Sequence, residues 1–339
     1  MTMDHLIAGK WGFTLTIKIG MIGTGYFSMF HAKILSELVD VRVTAIYGTS
    51  LEKAKSMASR FTYATGYGDL DEMLDADSLD AVYICVPPMA HGQIELELIK
   101  RGIPFFVEKP LSQDNDIPLN ILNEIKKKSL LTSVGYHYRY SESIAQLKSM
   151  LTDQNIGIVL GQYMSSMPRV PWWRNQGSSG GQFIEQTTHI VDLLRYICGD
   201  VEEVYAAFAN RILSTRDESI TVADVGTVTM KLRNGIVANI SNTCILPDGI
   251  GKTGITLYTD QGMLDWTPKR LELTKSGVLS EFNDVNNPYQ LENAVFINAV
   301  RTGDSSGILS DYEDAYQTHK VTLAALESAM KGSLIKLDL

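Results

Sequence analysis

Three side chains in this sequence have the types and settings that proton chemistry needs: Lys109, Glu185 and His189. Lys109 ends the stretch Phe105-Phe106-Val107-Glu108 and stands directly before Pro110. An almost unbroken apolar run reads as a buried parallel strand, and ligands collect at the carboxyl ends of such strands. The ammonium is therefore delivered to a reactive edge, and Pro110 biases Lys109 toward extended backbone geometry. Glu185 precedes His189 by one helical turn, and a carboxylate so placed orients the imidazole and raises its basicity. Asp192 and Tyr196 continue the same face, with Ile190, Val191 and Leu194 on the other side. No His or carboxylate spacing suits zinc, so no metal is expected.

These side chains need elements to carry them. Thr16–Ile22 reads as a first strand, followed by Gly23-Thr24-Gly25-Tyr26-Phe27-Ser28 and a helix through Leu38. Strand, tight glycine turn and helix N-terminus make a pyrophosphate cradle: Gly23 permits the turn and Gly25 the close approach, and Ser28 takes the third small position. The second strand, Val41–Tyr47, ends in Gly48-Thr49-Ser50, with no acid for the ribose hydroxyls of NAD. Thr49, Ser50 and Lys53 suit a 2′-phosphate instead, which leans the reading to NADP over NAD; Thr49-Ser50 also suits a cap for the helix Leu51–Arg60. The run Ala81–Val86 leads into Pro87-Pro88, a rigid loop at the ligand edge, and His91 opens the next helix as a helix-start or cofactor-adjacent residue. Pro104–Glu108, a helix over Ile117–Lys128 and a strand over Leu131–Gly135 complete an alternation that reads as a doubly wound domain.

Past Tyr136-His137-Tyr138-Arg139-Tyr140 the pattern changes. A helix over Ser143–Leu151 is followed by alternating stretches at Gly157–Met164, Val204–Asn210, Thr221–Leu232, Ile236–Cys244, Gly254–Tyr258 and Leu271–Thr274. Strands this close in sequence form hairpins, so the second half is expected to be α+β with a mostly antiparallel open sheet. Its sheet face would enclose substrate, contact another subunit, or both. The loop Pro168–Arg174 carries Trp172, Trp173 and Arg174, which read as a lid over a polar ring or a nicotinamide, or as a subunit contact.

Composition narrows the function classes. The chain has 339 residues, enough for two domains, and a formal net charge of −9. That charge argues against nucleic-acid or anionic-membrane binding. Cys85, Cys198 and Cys244 are odd in number and widely spaced, as in a reducing compartment. With no bilayer-length apolar run and no basic leader before an apolar block, a cytoplasmic protein is expected.

Taken in order, Gly23-Thr24-Gly25, Pro87-Pro88 with His91, Glu108-Lys109-Pro110, Arg139, Trp173-Arg174, and Glu185 four residues before His189 with Asp192 after it form a recognisable pattern. The chain resembles the glucose–fructose oxidoreductase / inositol dehydrogenase / rhizopine-catabolism family of nicotinamide-dependent oxidoreductases, over nearly its whole length from Thr16. The resemblance implies a Rossmann domain over residues 16–137 and a substrate-binding and oligomerisation domain over 138–339, with 1–15 as an extension. It implies that Lys109 and His189 are catalytic, with Glu185 where the family often has Asp, and Thr187 where many members have Gly. It adds Val86, Pro87, Pro88, His91, Glu108, Lys109, Arg139, Trp173 and Arg174 to Gly23–Phe27 as cofactor-binding residues, in a homodimer or homotetramer. His189 would take the hydroxyl proton of a secondary alcohol as the hydride leaves, Lys109 would hold the oxygen, and Glu185 would tune His189. His137, Trp172, Gln186 and Tyr289, rich in hydrogen-bonding groups, would bind a sugar or polyol. Two alternatives stand beside this activity: a tightly held, recycled cofactor serving internal redox, isomerisation or redox-assisted glycoside cleavage, and a non-catalytic dinucleotide-binding sensor or regulator.

Overall fold

The computed structural model describes residues 16–76 and 78–338. The 1–15 extension lies outside the described residues. Two compact units divide between Cys85 and Val86.

The first unit alternates β1 (Ile17–Ile22), α1 (Tyr26–Glu37), β2 (Val41–Tyr47), α2 (Leu51–Ala58), β3 (Thr65–Tyr67), α3 (Leu70–Ala76) and β4 (Ala81–Ile84). Its strands are parallel in the order β3-β2-β1-β4. All four residues of β4 and all but one of β1 are buried, as expected of strands covered on both faces. This is the Rossmann arrangement, and the short β3 and α3 are elements that their weak apolar patterning did not announce.

The second unit begins with α4 (Gln93–Arg101), β5 (Phe105–Val107), α5 (Asp116–Lys128) and β6 (Thr132–Val134), with β5 and β6 parallel. Then follow α6 (Glu142–Met150), β7 (Ile156–Met164), α7 (Gln176–Ser179), α8 (Gln182–Glu185), α9 (Thr188–Cys198), β8 (Val201–Ala209), α10 (Leu213–Arg216), β9 (Val225–Leu232) and β10 (Val237–Thr243). β11 (Lys252–Thr259), β12 (Gly262–Thr267), β13 (Arg270–Lys275), β14 (Val278–Asn283), α11 (Pro288–Thr302), α12 (Tyr312–Lys331) and β15 (Ile335–Lys336) complete the chain. Nine strands make an open sheet in the order β14-β13-β12-β11-β7-β10-β9-β8-β15, antiparallel except at β7–β10.

The main core lies between one face of this sheet and its helices, and includes Val159, Ile190, Leu194, Val228, Ile240, Leu257 and Trp266. A glycine sets the depth at which α9 lies. At Gly161 on β7 an added Cβ would come within 2.7 Å of the Ile190 side chain and 2.9 Å of Ile240. α9 therefore rests directly on the central strand, and the residue before Ile190 is His189.

Candidate active site

Local backbone chemistry places the charged residues. Gly180 and Gly181 have φ of +74° and +86°, a left-handed pair that turns the chain into α8. α8 stops at Glu185, and α9 starts only at Thr188. The His189 amide donates to the Gln186 carbonyl instead of reaching back to Glu185. The Glu185 carbonyl accepts from Lys109 Nζ at 2.8 Å, and its Oε1 accepts from the same ammonium at 3.1 Å. Glu185 Oε2 accepts from the indole N–H of the buried Trp173 at 2.8 Å. Glu185 is thus a doubly engaged acceptor between two donors.

The expectation that Glu185 sits on His189 is corrected by this geometry: the helix is interrupted between them, and the carboxylate belongs to Lys109 and Trp173. The shared polar face is corrected as well. Asp192 is buried and receives two parallel hydrogen bonds from Arg139, at 2.8 and 2.6 Å, while the Tyr196 ring lies 4.7 Å from the same guanidinium. Arg139 also donates to the Leu309 carbonyl and pairs with Asp314 at 2.6 Å. Its donors hold α9 and α12 together.

Around His189 the chain builds an aromatic wall. His137 meets it edge-on at 4.9 Å between ring centroids, Tyr138 at 5.3 Å and Tyr136 at 5.9 Å. Tyr289 stacks flat on His137 at 3.8 Å. His189 is buried, and burial, the positive Lys109 and His137 together hold its imidazole well below the ordinary value. Burial also works against the Lys109 ammonium, but the charges of Glu185 and Glu108 outweigh it and hold Lys109 above its ordinary value. The site therefore contains a fixed cation beside a neutral imidazole.

Of the remaining expected residues, Trp172 packs in a small cluster with Ile220, Val222 and Cys244, and Arg174 pairs with Asp217 at 3.1 Å. Gln186 meets the Gln182 amide at 3.3 Å. His91 is fully enclosed, its Nδ1 2.5 Å from Glu95, so it serves the start of α4. Thr187 is buried with an ordinary φ of −67°, a conformation that places no demand for glycine. Two residues escaped the sequence reading. Tyr163 on β7 stays neutral through burial, and its hydroxyl feels both Lys109 and Glu185. Gln182 ties Ser165, the Thr243 carbonyl and Asn242 to the turn before Glu185. Both sit in alternating or helical stretches whose pattern reports packing alone.

In the first unit, Gly23 has φ of +107° and its amide donates to the Tyr47 carbonyl. Ser28 Oγ donates to the Gly23 carbonyl at 2.7 Å, closing the turn. An added Cβ at Gly48 would approach the Thr24 methyl to 2.7 Å, so glycine at the tip of β2 admits the loop. A Cβ built at Gly25 meets nothing within 4 Å, and α1 begins with no side-chain cap and no acid in its first turn. Open space before an uncapped helix N-terminus fits the pyrophosphate of a dinucleotide. Ser50 Oγ accepts from the Lys53 amide at 3.3 Å, so the expected cap of α2 is present.

Residues 17–136 match the family model for the GFO/IDH/MocA oxidoreductases, described as having an NAD-binding Rossmann fold, and residues 144–265 match the C-terminal domain of the same family. The chain belongs to this family. It is a nicotinamide-dependent oxidoreductase. It is 26% identical over 344 residues to a myo-inositol 2-dehydrogenase of Thermotoga maritima, covering 95% of this chain and 99% of that one. A glucose-6-phosphate 3-dehydrogenase of Bacillus subtilis is 23% identical, over 69% of this chain and 70% of that one. Among solved structures, a levoglucosan dehydrogenase in complex with NADH and levoglucosan shares the fold with a TM-score of 0.85 at 18% identity, covering 95% of this chain and 99% of that one. No helix among the described residues is long and apolar enough to cross a membrane, and no cluster of metal-ligating side chains occurs among them.

Proposed function

We propose that this enzyme moves a hydride between a nicotinamide and a secondary hydroxyl, or its ketone, on a sugar, cyclitol or related polyol. The observation that carries the reading is the clamped Lys109 ammonium beside a buried, neutral His189. A neutral imidazole can accept the hydroxyl proton, and a fixed ammonium stabilises the oxygen as it gains negative charge. Glu185 keeps Lys109 charged and aimed, and Trp173 holds Glu185. His137, Tyr289 and Gln186 supply donors and acceptors for a hydroxylated ring, with Trp172 as a further substrate residue. The named relatives act on polyols and sugars, which supports the same class here.

When bound, the dinucleotide supplies a carbon that accepts or returns the hydride. Gly23, Thr24 and Gly25 would hold its pyrophosphate at the α1 N-terminus, with Tyr26 and Phe27 exposed beside it. The tip of β2 carries Thr49 and Ser50 and no acid, and Lys53 follows Glu52 in the first turn of α2, an arrangement that favours NADP over NAD. A homodimer or homotetramer is supported by the outer face of the open sheet. Ile158, Val237 and Tyr258 share one register position across three strands and are exposed together, with Leu160 beside them.

The testing experiment is a titration with NADPH and NADH followed by nicotinamide fluorescence, then a polyol and sugar screen with the tighter cofactor. Binding of either, tighter for NADPH, with turnover of a neutral polyol or sugar is expected. Absence of binding by folded protein would overturn the reading.

A further inference from the structure

Helix α11 carries a buried acid that none of the roles above uses. Tyr289 and Phe296 lie seven residues apart on one face of α11, and each meets a ring from elsewhere. Tyr289 stacks on His137 at 3.8 Å, and Phe296 packs edge-on to Phe106 of β5 at 5.9 Å. Glu292 lies between them on that face, toward the end of β5, where Glu108 follows. Glu108 in turn is pressed on Gly135, so closely that a Cβ there would stand 3.0 Å from its carboxyl.

Glu292 is completely buried, and neither carboxyl oxygen has a hydrogen-bond partner among the described residues. A carboxylate in that position has left water and gained no donor, which strongly favours the uncharged form. Its ionisable surroundings reinforce this. Burial comes first, and the negative charges of Glu108, after β5, and Asp192, on α9, add to it. Tyr140 and Tyr289 face it as neutral hydroxyls, and burial raises both. Arg139, the cation next to Tyr140 in the chain, is committed to Asp192, Asp314 and the Leu309 carbonyl.

We propose that Glu292 works as a neutral acid, forming with Glu108 a buried carboxyl pair that holds one proton and presents a single negative charge to Lys109. Two carboxyls enclosed together cannot both ionise cheaply, so the proton rests on the member without partners. Glu292 is then a positioning residue that acts through Glu108. That this tunes the reaction rests on the dehydrogenase reading; the state of the proton does not.

Infrared spectroscopy of the whole chain reads that state without any turnover. At neutral pH the wild-type protein is expected to show a protonated-carboxyl stretch that is lost in Glu292→Gln and fades only at alkaline pH. In Glu108→Gln, which removes the neighbouring charge, the same band is expected to persist at neutral pH and to fade at a lower pH than in wild type. Circular dichroism confirms that each variant is folded, and the second variant decides the matter if the first is not. A wild-type spectrum without the band, a band that survives in folded Glu292→Gln, or a Glu108→Gln protein whose band fades where the wild-type band does would each overturn the pair.

Discussion

Replacing Glu185 by Gln tests the Lys109 clamp most sharply, because the two shapes match and only the charge and one acceptor differ. The ammonium stands 3.1 Å from Oε1, and the two side chains are 8% and 15% exposed, so solvent screens them little. At an effective dielectric constant of about 20, two unit charges at that separation attract by roughly 5 kcal/mol. Desolvation offsets part of this, and breaking such a buried pair on one side costs about 3 kcal/mol. Hydrogen-bond polarity points the same way. Glu185 accepts from Trp173 on one oxygen and from Lys109 on the other. Gln offers one acceptor, so either orientation sets its amide N–H groups against another donor. Denaturant unfolding of Glu185→Gln should show a loss on the order of 3 kcal/mol. With its strongest partner charge gone and its burial unchanged, Lys109 should also titrate lower, moving any alkaline fall in activity toward neutrality. A Gln variant with wild-type stability and a wild-type alkaline limb would refute the clamp.

The His189 imidazole should remain neutral to well below its ordinary pKa of about 6.5, and Lys109→Met should move its titration upward by removing a positive neighbour; imidazole NMR reads both, and a titration at the ordinary value would contradict the burial argument. His319 on α12, whose Nε2 lies 2.7 Å from the Asp114 carbonyl, is held down to about 4 by burial. An unfolded histidine takes its proton near 6.5, so the contribution of His319 is complete above that pH and is lost as pH falls from there toward 4, about 3 kcal/mol in all. Unfolding midpoints of wild type and His319→Gln between these pH values should converge on acidification; parallel curves would count against it. Gly161→Ala should force α9 off β7, costing at least about 1–3 kcal/mol and weakening turnover through displacement of His189, as judged by unfolding and steady-state kinetics. An Ala variant equal to wild type in both would show that α9 yields without consequence.

The Rossmann half was legible because its strands are continuous apolar runs and its turn needs a glycine at Gly23, while Gly25 leaves open space before α1. Lys109 could be found because a strand end in such a sheet is a defined place. His189 and Glu185 could be found as types, yet their relation could not: the four-residue spacing presumes an unbroken helix, and the break at Gln186–Thr187 changes which atom meets which. Arg139 and Asp192 are far apart in sequence, so their bidentate pair is invisible until the chain folds. Trp173 was visible as an unusual side chain, but its bond to Glu185 depends on the loop's path. Tyr289 on α11 could be found as a type, but Glu292 one turn on gave no signal, since an acid amid ordinary helical spacing reads as a solvated residue.

The most direct test of the central claim measures nicotinamide absorbance as purified protein is mixed with cofactor and a panel of neutral polyols and sugars, beside Lys109→Ala and His189→Ala. The account predicts hydride transfer with at least one compound and its loss by orders of magnitude in both variants, with cofactor binding retained. Turnover undiminished in either variant would contradict it.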